Sequence, residues 1–213
     1  MKIAIVDYGM GNLHSVVKSM QLVAEDHAEV VLTADAATID AADKVVFPGQ
    51  GAMPDCMAHL QESGLIASVR QAAAEKPFLG ICVGAQLMFE RSAEGPTEAL
   101  GIFRGEVVRF PAAQMVDAHG QRLKVPHMGW NEMFIRREHP LWQGIPDGER
   151  FYFVHSYHFA PQDDIAVIES AYPYRFAAAV AQDNIFAIQC HPEKSSTPGL
   201  QLLKNFVHWN GQC

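Results

Sequence analysis

The chain has 213 residues, 49% of them hydrophobic and 19% charged, and carries a net charge of −8 at neutral pH. This length fits one domain, residues 1–213, with a sizeable core, and the composition excludes an intrinsically disordered chain. The acidic balance argues against a dedicated nucleic-acid binder, which needs a basic face.

The N-terminus, Met1 to Tyr8, has one lysine and too short an apolar run for a signal peptide, and no uncharged apolar stretch is long enough to span a bilayer. Cys56, Cys82, Cys190 and Cys213 are scattered without a C-x-x-C pair, so they form neither a zinc pattern nor a disulfide framework. Free thiols and a cytoplasmic location are the expectation.

Lys2 to Asp7 is a short β-rich run closed by Tyr8-Gly9-Met10-Gly11-Asn12. Val16, Val17, Met20 and Val23 then recur at helical spacing from Leu13 to Val23. Val30–Leu32 and Val45–Phe47 read as the next strands, and the alternation predicts a parallel α/β sheet. The Gly9-Met10-Gly11 turn lacks the third glycine of a dinucleotide fingerprint, and no acidic residue ends the second strand, so it reads as a tight βα turn. Pro48-Gly49-Gln50-Gly51 closes the third strand. Its glycines allow a peptide flip, and its N–H groups can point into a cleft. A helical pattern runs from about Pro54 to Ala74, broken near Ser63-Gly64.

Phe78-Leu79-Gly80-Ile81-Cys82-Val83-Gly84-Ala85-Gln86 is the stretch on which the chain turns. An uncharged strand reaches a cysteine with glycines two residues before and after it, and a helix-like pattern continues through Leu87, Met88 and Phe89. A helix N-terminus beside the sulfur favours thiolate, and the Val83 N–H is positioned to donate to an oxyanion. The plainer alternative is a small buried cysteine in a tight junction.

Beyond Arg91 short β-like runs replace long helices: Glu106–Phe110, Arg122–Val125 and Met133–Ile135. They predict an antiparallel extension, with Asp117–Gly120 as a hairpin turn and Pro126–Asn131 as a string of no clear period. Glu149–Ala160 predicts one aromatic strand. Ile165–Ser170, Ala177–Ala181 and Ile185–Gln189 are further strands, and Gly199–Trp209 a final helix. The last strand delivers His191-Pro192-Glu193. In extended backbone residues 191 and 193 share a side, so Glu193 can orient one imidazole nitrogen of His191 while the other faces a thiol.

Strand-Gly-x-Cys-x-Gly-x-Gln-helix followed far downstream by strand-His-Pro-Glu resembles the class I glutamine amidotransferases over nearly the whole chain. The resemblance implies a flavodoxin-like fold: an open, largely parallel sheet with helices on both faces and an antiparallel extension. It implies a Cys82–His191–Glu193 triad that hydrolyses glutamine through a thioester and passes ammonia to a second active site. Gly49, Gln50, Gly51 and Val83 match the oxyanion positions. Gln86 and the His155-Ser156-Tyr157 strand match substrate contacts, and Glu94 matches a substrate-contacting carboxylate.

Ile5–Asn12, the 48–51 loop, Val125–Asn131 and His191–Ser195 narrow the resemblance to the glutaminase subunits of imidazole glycerol phosphate synthases in histidine biosynthesis. That implies a (β/α)8-barrel cyclase as partner, making imidazole glycerol phosphate and aminoimidazole carboxamide ribotide. Asn12, Trp130, Asn131 and Lys194 match partner-interface positions. No metal or organic cofactor is implied. The other readings are a glutaminase subunit of another amidotransferase, such as that of pyridoxal phosphate synthesis, and a stand-alone cysteine hydrolase. The chain departs from the family's pattern at Gln50, usually valine there, at Ala85, usually methionine, and in a longer segment Ala112–Gln121.

Overall fold

The computed structural model describes residues 1–116 and 120–212. The first half alternates: β1 (Lys2–Val6), α1 (Leu13–Ala24), β2 (Glu29–Thr33), α2 (Ala36–Asp40), β3 (Lys44–Gly49), α3 (Met53–Glu62), α4 (Ile66–Glu75) and β4 (Phe78–Cys82). After the single turn α5 (Val83–Gln86) come β5 (Arg91–Ser92), β6 (Thr97–Glu98), β7 (Gly105–Arg109), β8 (His127–Ile135), β9 (Glu149–His155), β10 (Tyr157–Pro161), β11 (Ala166–Ala171), β12 (Arg175–Gln182), β13 (Ile185–Ile188) and α6 (Ser196–His208).

The main sheet runs β2-β1-β3-β4-β13-β12-β10-β7-β5-β6. From β2 to β13 every pairing is parallel, and β3, β4 and β13 are buried at every residue, as strands covered on both faces must be. The crossover from β1 to β2 runs one way along the sheet and that from β2 to β3 runs back. With right-handed crossovers, α1 and α2 therefore lie on opposite faces. Helix α1 packs on α6, and α2 on α4. Lys44 ties the last helix down: its buried ammonium donates to the carbonyls of Phe206, at 3.1 Å, and Val207, at 2.7 Å, and also to Trp209. A helix C-terminus favours that charge, although burial pushes its pKa down to about 8.

Beyond β13 the pairings turn antiparallel, save β7 with β5, which is parallel, and the sheet forks: β12 also pairs β11, β11 pairs β8, and β8 pairs β9. The antiparallel extension is present, but its strands differ from the sequence reading in three places. Pro126–Asn131 is not irregular; from His127 it is the start of the nine-residue β8. Its alternation was hidden because the inward positions carry His127, Gly129 and Asn131 rather than aliphatics. The stretch Glu149–Ala160 is two strands broken at Ser156, β9 pairing β8 and β10 pairing β7 and β12. Arg122–Val125 is no strand; Arg122 makes one isolated antiparallel bridge to Val116. Part of the Asp117–Gly120 turn, residues 117–119, lies outside the described residues. Helix α2, which the sequence reading lacked, is nucleated by Asp35, whose carboxylate accepts from the Thr38 N–H at 2.9 Å.

The helix expected after Cys82 stops at Gln86. The returning segment captures the carbonyls it needed to continue: Leu100 N–H donates to Leu87 O, Ile102 and Phe103 to Met88 O, and Gly101 to Phe89 O. Leu87, Met88 and Phe89 are still fully buried, so the apolar spacing reflected packing rather than helix.

Candidate active site

Strands β3, β4 and β13 are neighbours and end on one edge, where an open α/β sheet presents its crevice. Their register makes the site. Gly49 lies level with Cys82, and Ile188 with Ile81, so Gln189 follows level with Cys82. Cys82 closes β4 at φ 54°, ψ −114°, a left-handed backbone that a β-carbon disfavours by about 1–3 kcal/mol. The corner between strand and helix is therefore strained. Close packing on both sides holds it. A β-carbon on Gly84 would come within 2.0 Å of the Phe47 carbonyl oxygen, and one on Gly49 within 2.5 Å of the Gly84 nitrogen. Val83 opens α5, where an α-helix has no internal acceptor for its first N–H groups.

His191 follows β13 with extended backbone, and Glu193 reaches it from a one-turn 3₁₀ helix, Pro192–Lys194, rather than from the extended strand that alternation predicts. The outcome is the same contact: His191 Nδ1 lies 2.8 Å from Glu193 Oε1, both side chains almost fully buried. Burial opposes the charged imidazole. The facing sulfur of Cys82, within hydrogen-bond reach, and the Glu193 carboxylate outweigh it and push the His191 pKa up to about 10. Ser195 fixes this corner from behind: its hydroxyl donates to His191 O at 2.6 Å and accepts from the Tyr152 N–H at 3.0 Å.

Cys82 and His191 open onto a cavity of about 640 Å³. Gln50, Gly51, Val83, Gln86, Glu94, Trp130, His155, Ser156, Tyr157 and Lys194 also line it. Gly49 sits behind them, buried at the strand end, and Gln50 is exposed. The Gln50 carbonyl accepts from the Cys56 thiol at 3.4 Å. Glu94 reaches the cavity, but one carboxylate oxygen also accepts from the Met53 N–H at 2.9 Å and so caps α3. Trp130 is half exposed and opposite Tyr152, with the rings 6.0 Å apart edge to face. Asn12 donates to Ser15 Oγ at 2.9 Å, outside the cavity lining. Asn131 turns inward, its amide nitrogen donating to Ala171 O at 2.9 Å.

Two residues were missed by the sequence reading. Gln189 accepts from Gln86 Nε2 at 3.0 Å and presents its own amide nitrogen 4.0 Å from the Cys82 sulfur. Its place two residues before His191, at the end of the strand read from sequence as Ile185–Gln189 and hence on the same side of extended backbone, was the available signal. Tyr8 lies buried behind the loop, where a β-carbon on Gly49 would come within 2.6 Å of its hydroxyl. Burial, then the neighbouring Cys56, raises its pKa well above the usual value. No sequence pattern marks it. Among the described residues there is no group of three metal-ligating side chains, and no helix is long and apolar enough to cross a membrane.

The chain matches the family described as glutamine amidotransferase class-I over residues 4–209. It is 60% identical over 212 residues to the imidazole glycerol phosphate synthase subunit HisH of Chromobacterium violaceum, covering 99% of both chains. The protein of the same name from Aromatoleum aromaticum is 60% identical over 208 residues, covering 97% of this chain and 98% of that one. Among solved structures, a putative GMP synthase subunit from Thermoplasma acidophilum superposes with a TM-score of 0.70 at 21% identity, covering 98% of this chain and 92% of that one, a likeness of fold.

Proposed function

The chain belongs to the class I glutamine amidotransferase family, and from that premise we propose that it is the glutamine-hydrolysing subunit of an imidazole glycerol phosphate synthase. The chemistry is carried by one observation, the meeting of Cys82, His191 and Glu193 at the level ends of two adjacent strands. The assignment to this synthase rests on relatives sharing 60% of residues over almost their full length.

The Cys82 sulfur attacks the side-chain amide carbon of glutamine. The carbonyl electrons move onto oxygen, which receives hydrogen bonds from the Val83 N–H and from the Gly49-Gln50-Gly51 loop. His191 gives its proton to the nitrogen, and ammonia leaves as the carbonyl reforms in a thioester. Water then attacks the thioester, His191 takes its proton, and glutamate departs with the sulfur restored. Glu193 holds the imidazole in the orientation and charge state that both steps require. Gln86 and the backbone of Ser156 and Tyr157 hold the substrate. Trp130 and Lys194, at the cavity mouth, form part of the face that meets a (β/α)8-barrel cyclase, which consumes the ammonia.

Hydrolysis without an acceptor wastes ammonia, so the loop is the natural place for control. The resting loop turns one peptide away, and the loaded cyclase favours the productive turn by binding that state more tightly. Removing one oxyanion donor costs roughly 3–4 kcal/mol, or 10²–10³ in rate. The test is glutamate production by the purified chain, alone and with the cyclase and its ribulosyl nucleotide substrate. A low rate alone and a large rise in the full mixture, lost in Cys82→Ala, support the reading. A brisk rate unchanged by the cyclase overturns it.

A further inference from the structure

A buried polar chain leads from strand β8 to the nucleophile, and every hydrogen in it is dictated by its ends. At one end the Tyr157 carbonyl lies 2.8 Å from His155 Nδ1, so that nitrogen carries the proton. Neutral His155 therefore presents Nε2 as an acceptor, and His127 Nδ1, 2.9 Å away, must donate to it. His127 Nε2 is then an acceptor for Asn131 Nδ2 at 3.3 Å. Asn131 cannot flip, because the same amide nitrogen is held by the Ala171 carbonyl. On the other side of the Tyr157 carbonyl, Gln86 Nε2 donates to it at 3.3 Å and to Gln189 Oε1 at 3.0 Å, and Gln189 faces the Cys82 sulfur.

Both histidines are almost fully buried. His127 is held between the ring of Tyr172, 3.9 Å away and nearly parallel, and that of Phe153 at 5.0 Å. On the opposite side of the same strand Met128 and Trp130 stand 63% and 50% exposed. The strand that presents this apolar face thus also anchors the start of the chain.

We propose that His127 is a positioning residue for glutamine hydrolysis, carrying the position of strand β8 through His155 to the Tyr157 carbonyl and the Gln86–Gln189 pair beside Cys82. It touches no substrate; it acts by fixing the 155–157 backbone. The inference rests on the reading that this chain hydrolyses glutamine.

The test uses the full chain with the cyclase and its nucleotide substrate. Kinetics for glutamine are compared between wild type, His127→Phe, which keeps the ring stack and removes both nitrogens, and Asn131→Asp, which replaces the donor by an acceptor. Each variant is expected to raise KM for glutamine about tenfold with kcat largely kept, because a buried partner loses its hydrogen bond. Long-range ¹H–¹⁵N correlation on the wild-type chain is expected to find His127 and His155 both neutral with the proton on Nδ1. An unchanged KM in the folded variants, or a proton on Nε2 of either histidine, overturns the proposal. A purely structural role lowers the folded fraction and leaves KM alone. If the wild-type complex fails to hydrolyse glutamine, the functional reading falls, and the tautomers still decide the chain.

Discussion

The two halves of the sheet treat their histidines in opposite ways. At the end of the parallel half, His191 faces a sulfur and a carboxylate, and its pKa is pushed up to about 10. In the antiparallel half, His127, His155 and His158 face rings, carbonyls and one another, and burial lowers all three, His127 to about 4. Both settings remove about the same amount of water. Partner chemistry decides the sign, so one half holds a charged imidazole beside Cys82 and the other holds neutral rings.

The largest expected effect lies in the charged half. Cys82→Ala or His191→Ala should lower cyclase-stimulated glutaminase kcat by at least about 10⁴-fold with the fold intact by circular dichroism. Glu193→Gln keeps the shape but not the charge and should cost less, about 10²–10⁴-fold. A Glu193→Gln enzyme as active as wild type would mean that the carboxylate does not set the state of His191.

Legibility from sequence follows the same division. In β3, β4 and β13 both faces are covered, so continuous apolar runs announced them, and glycine spacing around Cys82 announced the corner. In the first half of β8 the inward positions carry His127, Gly129 and Asn131, and the two polar side chains find partners far away in the chain, His155 and the Ala171 carbonyl. Hydrophobic periodicity cannot register them. The stop of α5 at Gln86 was hidden for a related reason: it depends on residues 100–103 returning to take three carbonyls. Gln189 and Tyr8 act through positions that only the sheet register defines.

A second contrast concerns glycines. Gly84→Ala drives a methyl into the Phe47 carbonyl oxygen at 2.0 Å, whereas Gly101, a turn glycine at φ 61°, has open space around it. Gly84→Ala should destabilise by about 3 kcal/mol, lowering Tm by ~6–12 °C. Gly101→Ala should cost only the left-handed backbone penalty, about 1 kcal/mol. Equal melting temperatures would show that strand β3 yields at the site more readily than its complete burial suggests.

The histidine contrast predicts a pH dependence. Below pH 6.5 an unfolded chain protonates His127, but the folded site resists until about pH 4. The unfolded state then binds more protons, so stability falls as pH drops through that window, by up to about 3 kcal/mol from this residue. His155 and His158, also lowered, add in the same direction. Urea midpoints between pH 7 and 4.5 should decline steeply in wild type and less steeply in His127→Phe. Parallel curves would place the acid sensitivity elsewhere.

The smallest effect separates two roles for Glu94. As a capping group it needs only an acceptor for the Met53 N–H, whereas as a substrate contact through charge it needs a carboxylate. Glu94→Gln keeps the acceptor and removes the charge; Glu94→Ala removes both. Glu94→Ala should cost about 1 kcal/mol of stability and Glu94→Gln only a few tenths. If Glu94 also meets the substrate amine at the cavity wall, both variants should raise KM for glutamine. If KM stays fixed in Glu94→Gln while Glu94→Ala melts earlier, the carboxylate is a helix cap whose position against the cavity is a consequence of where α3 begins.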